Sequence, residues 1–156
     1  MSRRPAPRPE EFTFWTEEKV RVSDTDLNGH VNNAAYAAYF ESARAELLTA
    51  VAGAPAEREF GLALARVTIE YRQEVHYPAR LRIGSAVVAI GTTSLTIAHA
   101  LFLAEACAAT AASVFVLLDR ATRRPRPVDE ALRMRFLALA PPAPARGAVE
   151  VPGRLD

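Results

Sequence analysis

The sequence predicts an α+β domain in which an antiparallel sheet is wrapped around one long, nearly all-apolar helix. Three observations lead there. From Asn33 onward Tyr36, Phe40, Leu47 and Val51 recur at helical spacing, with alanine filling much of the rest. Four later runs have the length and patterning of strands. The connections between those runs are short, such as Gly91 to Ser94, which favours antiparallel neighbours in a meander over parallel crossovers. The predicted order is strand, long helix, four strands, short helix, a two-layer plan.

The first strand is expected over Phe14 to Val22, where Val20 and Val22 alternate with Lys19 and Arg21. Polar turn-formers follow from Ser23 to Gly29. Asn32 or Asn33 can cap the helix, and Gly53 and Pro55 end it; with so many apolar positions it can be buried on most of its circumference. Ala65, Val67, Ile69 and Tyr71 then alternate with Arg66, Thr68, Glu70 and Arg72, giving one wet and one buried face. Further strands are expected over Arg80 to Ile90, Leu95 to Ala104 and Ala109 to Leu118. Asp129 can cap a last helix carrying Leu132, Phe136 and Leu139. Proline crowds both ends, so residues 1–11 are expected to be a disordered tail, 12–140 the folded domain and 141–156 a second tail.

Composition narrows the function. Nineteen basic residues face eighteen acidic ones, so no global field attracts nucleic acid, and any anionic ligand must be held locally. The single Cys107 has no partner for an intramolecular disulfide and no cysteine cluster suggests zinc, which fits a reducing, cytoplasmic compartment. Met1 to Glu11 lacks the apolar stretch of a secretory signal, and the longest apolar runs fall short of the ~20 residues that cross a bilayer. No metal, cofactor, nucleic acid or membrane insertion is therefore expected.

The chemistry-bearing stretch is Ser23 to Tyr36, continuing into Tyr39-Phe40-Glu41-Ser42-Ala43-Arg44. It gathers Asp24, Asp26, Asn28, His30, Asn32 and Asn33 at the mouth of the long helix. There a carboxylate loses water and can act as a base, while the helix N-terminus offers free N–H groups to an oxyanion. From spacing alone, the same residues equally describe a turn and a helix cap around a structural histidine.

The run Asp-x-Asn-x-His-Val-Asn-Asn, present as Asp26 to Asn33 and followed by Tyr36, resembles the signature of the hot-dog-fold thioesterases. It is similar to the 4-hydroxybenzoyl-CoA thioesterase-like bacterial enzymes and to the plant acyl-carrier-protein thioesterases. The resemblance extends through Phe40 to Arg44, and more loosely through Ser94-Leu95-Thr96 and Arg124 to Pro127. It implies a hot-dog fold, hydrolysis of an acyl-CoA or acyl-carrier-protein thioester, and assembly as a homodimer or homotetramer. Asp26 matches the catalytic carboxylate, as nucleophile or as the base that activates water. Asn28 and His30 match the polar pair of the acyl-carrier-protein enzymes. Asn33 matches the position whose backbone N–H polarises the thioester carbonyl in the 4-hydroxybenzoyl-CoA type, which itself lacks the Asn and His.

Other residues receive smaller roles. Ser94, at a strand start, is a candidate substrate contact. Arg123, Arg124 and Arg126, clustered with Arg120, are candidates for the phosphates of CoA. Glu41 could be a second carboxylate, although an ion pair with Arg44 is the simpler account. His99 is expected in the core, His76 in a loop, and Cys107 as a small buried residue. Two competing functions share the fold: a hydratase or dehydratase, disfavoured by the Asp26–His30 spacing and by Gly29, and a module that binds acyl thioesters without cleaving them.

Overall fold

The computed structural model describes residues 5–142, so Met1 to Arg4 of the first predicted tail and residues 143–156 of the second lie outside the described residues. Pro9–Glu11 form one 3-10 turn ahead of the first strand. The elements are β1 (Phe14–Lys19), α1 (Asn33–Ala52), β2 (Phe60–Tyr71), β3 (Arg80–Ile90), β4 (Ser94–Leu103), β5 (Ala106–Asp119) and α2 (Glu130–Leu137).

Asn32 is the residue that caps α1. Its backbone is extended and its side chain accepts the Ala34 N–H at 2.8 Å, which satisfies one of the orphan donors of the first turn. Gly53, at φ +79°, ends the helix in a conformation that disfavours any residue with a Cβ. The helix buries one stripe, Tyr36, Tyr39, Phe40, Ala43, Arg44, Leu47 and Leu48, and not most of its circumference. Ala34, Ala38, Ala45 and Ala50 lie on the open side with Glu41 and Glu46. Alanine favours a helix on either face, so its abundance says little about burial.

All strand pairs are antiparallel, in the order β1-β3-β4-β5-β2. β3, β4 and β5 form the expected meander. β2 departs from it, because residues 72–79 carry the chain across to β3 while β2 itself pairs with β5, for example Ile69 opposite Ala111. That link is long enough to cross the sheet, whereas the turns between β3, β4 and β5 are not. β1 is shorter than predicted: Val22 begins a 3-10 turn and is largely exposed, because the Asp24 side chain accepts the Arg21 N–H at 2.8 Å and turns the chain out of the sheet.

The sheet curls around α1, and the hot-dog arrangement is the one observed. The core has two ends. Val20, Val31, Tyr36, Tyr39 and Phe40 meet Leu81, Ile83 and Leu101 where the helix starts. Leu47 and Leu48 meet Val87, Leu95, Phe115, Leu117 and the Phe136 of α2 where it finishes. Asp129 caps α2 through the Leu132 N–H at 2.9 Å. The sheet leaves two edges, the six-residue β1 and the twelve-residue β2. No helix among the described residues is long and apolar enough to cross a membrane.

Candidate active site

Residues 22–32 form a closed turn at the mouth of α1. Thr25 bridges Val31, the Asp26 N–H donates to the His30 carbonyl at 3.0 Å, and the Gly29 N–H donates to the Asp26 carbonyl at 3.0 Å. Gly29 sits at φ +80°, which such a turn requires and glycine tolerates. Asp24 serves the frame. Its carboxylate accepts the Arg21 N–H and, at 2.7 Å, the Tyr39 hydroxyl, while its carbonyl accepts the Asn32 N–H at 2.8 Å. Burial, with the Asp24 carboxylate beside it, holds the Tyr39 hydroxyl well above the usual phenol range.

Within this frame Asp26 and His30 come together. One carboxylate oxygen of Asp26 accepts the Asn28 N–H at 2.8 Å; the other lies 3.7 Å from His30 Nδ1. His30 Nε2 lies 3.9 Å from Glu74, and Glu74 lies 3.7 Å from His76 Nε2. The His76 Nδ1 hydrogen-bonds the Gly29 carbonyl at 3.0 Å, and its ring meets that of His30 edge to face, 6.1 Å between centroids. The Asp26 and His30 side chains are each 26% exposed, so a single chain leaves the carboxylate partly wet and not buried as expected.

Asn33 also belongs to this group. The Ala34 N–H is taken by the Asn32 side chain and the Ala35 N–H by the Asn32 carbonyl, while the Asn33 N–H has no acceptor among the described residues. Asn33 lines a cavity of about 220 Å³ with His30, Tyr36, Tyr71, Gln73 and Glu74. The Tyr71 hydroxyl reaches the Asn33 carbonyl at 3.3 Å. The arrangement therefore presents a carboxylate, an imidazole 3.7 Å from it, and an unsatisfied helix-terminal donor. Glu74, His76 and Tyr71 were not anticipated as part of it. In Gln73-Glu74-Val75-His76 the fully buried Val75 puts Glu74 and His76 on one outward side, but nothing in that run points to His30.

The predicted substrate-binding residues lie elsewhere. Ser94 starts β4 beside the far core cluster, with its hydroxyl against Gly91. Arg126 donates to the Glu59 carbonyl at 3.4 Å and lies 3.6 Å from Asp129. Arg124 is exposed, and its carbonyl accepts the Asp119 N–H at 2.8 Å. Arg123 lines a second cavity, of about 600 Å³, at the C-terminal half of α1, together with Glu41 and Arg44. Those last two make no ion pair with each other, contrary to expectation. Within one chain, none of these residues meets Asp26, since α1 spans about 30 Å between the two ends.

His99 is wholly buried, its Nδ1 2.7 Å from the Ser85 hydroxyl, and burial together with the nearby Arg44 charge lowers its pKa to about 3. It is a neutral core histidine. Cys107 is buried and free, its thiol pushed up to about 11 by burial. Among the described residues, no three His, Cys, Asp or Glu side chains are grouped to hold a metal.

A model of the Thioesterase-like superfamily matches residues 20–136. Among solved structures, the PA5185 protein of Pseudomonas aeruginosa strain PAO1 is 29% identical, with a TM-score of 0.82 over 90% of this chain and 100% of that one. A thioesterase of Thermus thermophilus, solved with coenzyme A and zinc, is 31% identical, with a TM-score of 0.73 over 83% of this chain and 95% of that one. The uncharacterized protein YsmA of Bacillus subtilis strain 168 is 30% identical over 86 residues, 55% of this chain, and the match spans 58% of that relative's length.

Proposed function

This chain belongs to the thioesterase-like superfamily, and from that premise we propose that it hydrolyses an acyl-CoA or acyl-carrier-protein thioester at the mouth of α1. The observation that carries the reading is the conjunction at Asp26. Its carboxylate is oriented by the Asn28 N–H and faces His30, one turn before a helix whose Asn33 N–H has no acceptor among the described residues. The Asn33 N–H and the helix dipole would polarise the thioester carbonyl and hold the oxyanion as it forms.

Asp26 then acts in one of two ways. As a base it takes a proton from water, whose oxygen attacks the carbonyl carbon; the C–S bond breaks, the thiolate leaves and acquires a proton, and the acid is released. As a nucleophile it forms a mixed anhydride that water opens. His30, between Asp26 and Glu74, serves proton movement in either case. The role of Asn28 is to aim the carboxylate through its N–H.

The coenzyme A held by the Thermus protein favours CoA over a carrier protein as the thiol. Arg124, exposed after β5, is the cation we assign to its phosphates; Arg123, on the wall of the large cavity, Arg126, engaged with Asp129, and Ser94, packed against Gly91, are second to it. These cations lie at the far end of the fold from Asp26, so they serve the reaction from the partner subunit of a homodimer. A single buried thiol fits a cytoplasmic setting. Thiol release measured across short, long and aromatic acyl-CoAs and acyl-carrier-protein thioesters tests the proposal. Release of CoA from none of them, with acyl-CoA still bound, would make the chain a binding module instead.

A further inference from the structure

Arg44 is a buried charge with no hydrogen-bonded counter-ion; the carboxylate of Glu41, one turn before it, acts on it from beyond ion-pair distance. Arg44 lies on the buried stripe of α1, 8% exposed, and makes no hydrogen bond or ion pair to any described residue. Its guanidinium stands 5.9 Å from the centre of the Phe115 ring, a weak compensation for lost water. Burying an unpaired cation is costly, and proteins pair such groups unless something else arrives to do so. Arg44 lines the 600 Å³ cavity, a volume in the range that holds small organic ligands.

The rest of the wall defines what fits. Leu48, Phe60, Leu62 and Phe115 supply an apolar surface, and Arg58, Arg120 and Arg123 add positive charge. Two of these are already committed: Arg58 Nε donates to the Gly53 carbonyl at 2.8 Å and Arg120 to the Arg58 carbonyl at 2.7 Å. Glu41 is the one carboxylate on the wall among the described residues. We propose that this cavity binds a carboxylate on an apolar stem, with Arg44 as its buried partner, and that the preferred acyl group carries such a carboxylate at its far end.

The planar fork of a guanidinium matches a carboxylate in two parallel hydrogen bonds. One negative charge neutralises Arg44. A bare phosphate would leave the apolar wall of Leu48, Phe60, Leu62 and Phe115 uncovered. From Asn33 to Arg44 is eleven residues of α1, ~16 Å along its axis, so within one chain the bound group is remote from the thioester. Burial also lowers the affinity of Arg44 for its proton, and the Glu41 charge offsets this only in part.

The second half of this inference rests on the thioesterase reading; the first does not, and the test separates them. Binding of octanoate, of its neutral isostere octanamide and of adenosine 3′,5′-bisphosphate is measured by calorimetry on the full chain, wild type and Arg44→Gln. Octanoate is expected to bind wild type and to lose at least ~tenfold in the variant, octanamide to bind neither, and the bisphosphate to be indifferent to Arg44. Equal octanoate binding by both proteins, no octanoate binding to wild type, or bisphosphate binding that depends on Arg44 would each overturn the site. Should Arg44→Gln fail to fold, Leu62→Trp, which fills the cavity from the sheet side, must abolish octanoate binding by itself.

The hydrolytic arm compares ω-carboxyacyl-CoAs, from adipoyl to dodecanedioyl, with the methyl-ended acyl-CoA of the same length. Wild type is expected to favour the carboxylated member of at least one pair by kcat/KM, and Arg44→Gln to lose that preference. If no CoA ester is cleaved while octanoate binding still depends on Arg44, the thioesterase reading fails and the carboxylate site stands. If esters are cleaved without such a preference, the assignment of the acyl group fails.

Discussion

Asp26 places a carboxylate oxygen 3.7 Å from Nδ1 of His30, across a turn that its own N–H closes on the His30 carbonyl at 3.0 Å. The backbone bond fixes the two side chains on one side of the turn, although they are not on a helix. The side-chain separation is longer than a hydrogen bond, leaving room for a water or for closure when substrate arrives. The carboxylate is thus oriented but makes no hydrogen bond with the imidazole, a suitable condition for a base or a nucleophile.

Replacing Asp26 by Asn tests that role with little disturbance of the fold. The amide oxygen can still accept the Asn28 N–H that the carboxylate accepts at 2.8 Å. Thiol release should fall by ~10² to 10⁴, because an amide neither takes the proton nor attacks the carbonyl. Unchanged thermal melting beside the lost activity is the expected pair of results. Full turnover in this variant would move the chemistry elsewhere.

His30→Ala should cost less, on the order of 10², since it removes proton handling and leaves the carboxylate. Glu74→Gln should cost less than His30→Ala, because Glu74 approaches His30 at Nε2, away from the Nδ1 that faces Asp26. Asn28→Ala should cost least, under ~tenfold, since the group that holds Asp26 is the Asn28 N–H, which alanine retains. A loss in Asn28→Ala equal to that of Asp26→Asn would give the carboxamide itself a part in the reaction. Steady-state kinetics of the three variants over a pH series decide this.

Much of this was legible in the chain itself. Apolar spacing and the capping residues Asn32 and Asp129 located α1 and α2, although Leu139 falls beyond the end of α2, and β3 occupies the span expected of it. The polar run puts Asp26, Asn28, His30 and Asn33 at the helix mouth, since all four are local in sequence. The contribution of residues 72–79 was not legible. Glu74 and His76 reach His30 only because β2 pairs with β5, and no local pattern encodes that pairing. The same reason separates Arg123 and Ser94 from Asp26: strand alternation gives each strand its faces but not which end of the sheet a turn occupies. The setting of Arg44 was not legible for another reason. Helical spacing brings Glu41 within reach of it, but burial decides where its guanidinium goes.

The neutral state of His99 makes stability sensitive to acid. Its pKa lies near 3 in the folded chain against about 6.5 when unfolded, so between those values the unfolded state binds the extra proton. Stability contributed by this group is therefore complete above pH 6.5 and declines as pH falls, by up to ~1.4 kcal/mol per unit. Between pH 7.5 and 5 wild type should lose about 2 kcal/mol more than His99→Gln, which has no such proton to bind. Urea denaturation at the two pH values measures the difference. Parallel losses in both proteins would mean that His99 is charged in the folded chain.

The assembly prediction follows from the open edge. β2 is twelve residues long, interrupted by a bulge between Leu64 and Arg66, and it exposes Leu64, Val67 and Tyr71. A long edge with apolar side chains invites pairing unless it is covered. If two copies pair their β2 strands antiparallel about a two-fold axis, the Tyr71 end of one lies beside the Phe60 end of the other. The Asp26 turn of each subunit would then face the partner's large cavity and exposed arginines, which one chain keeps at opposite ends of α1. Val67→Asp puts a charge at the middle of that edge on a side chain that is 40% exposed in the single chain, so folding should survive while pairing does not. Light scattering should report a dimer for wild type and a monomer for the variant, with turnover reduced at least ~tenfold, as a cleft shared between two subunits requires. A wild-type monomer with full turnover, or a monomeric variant as active as wild type, would show that one chain suffices.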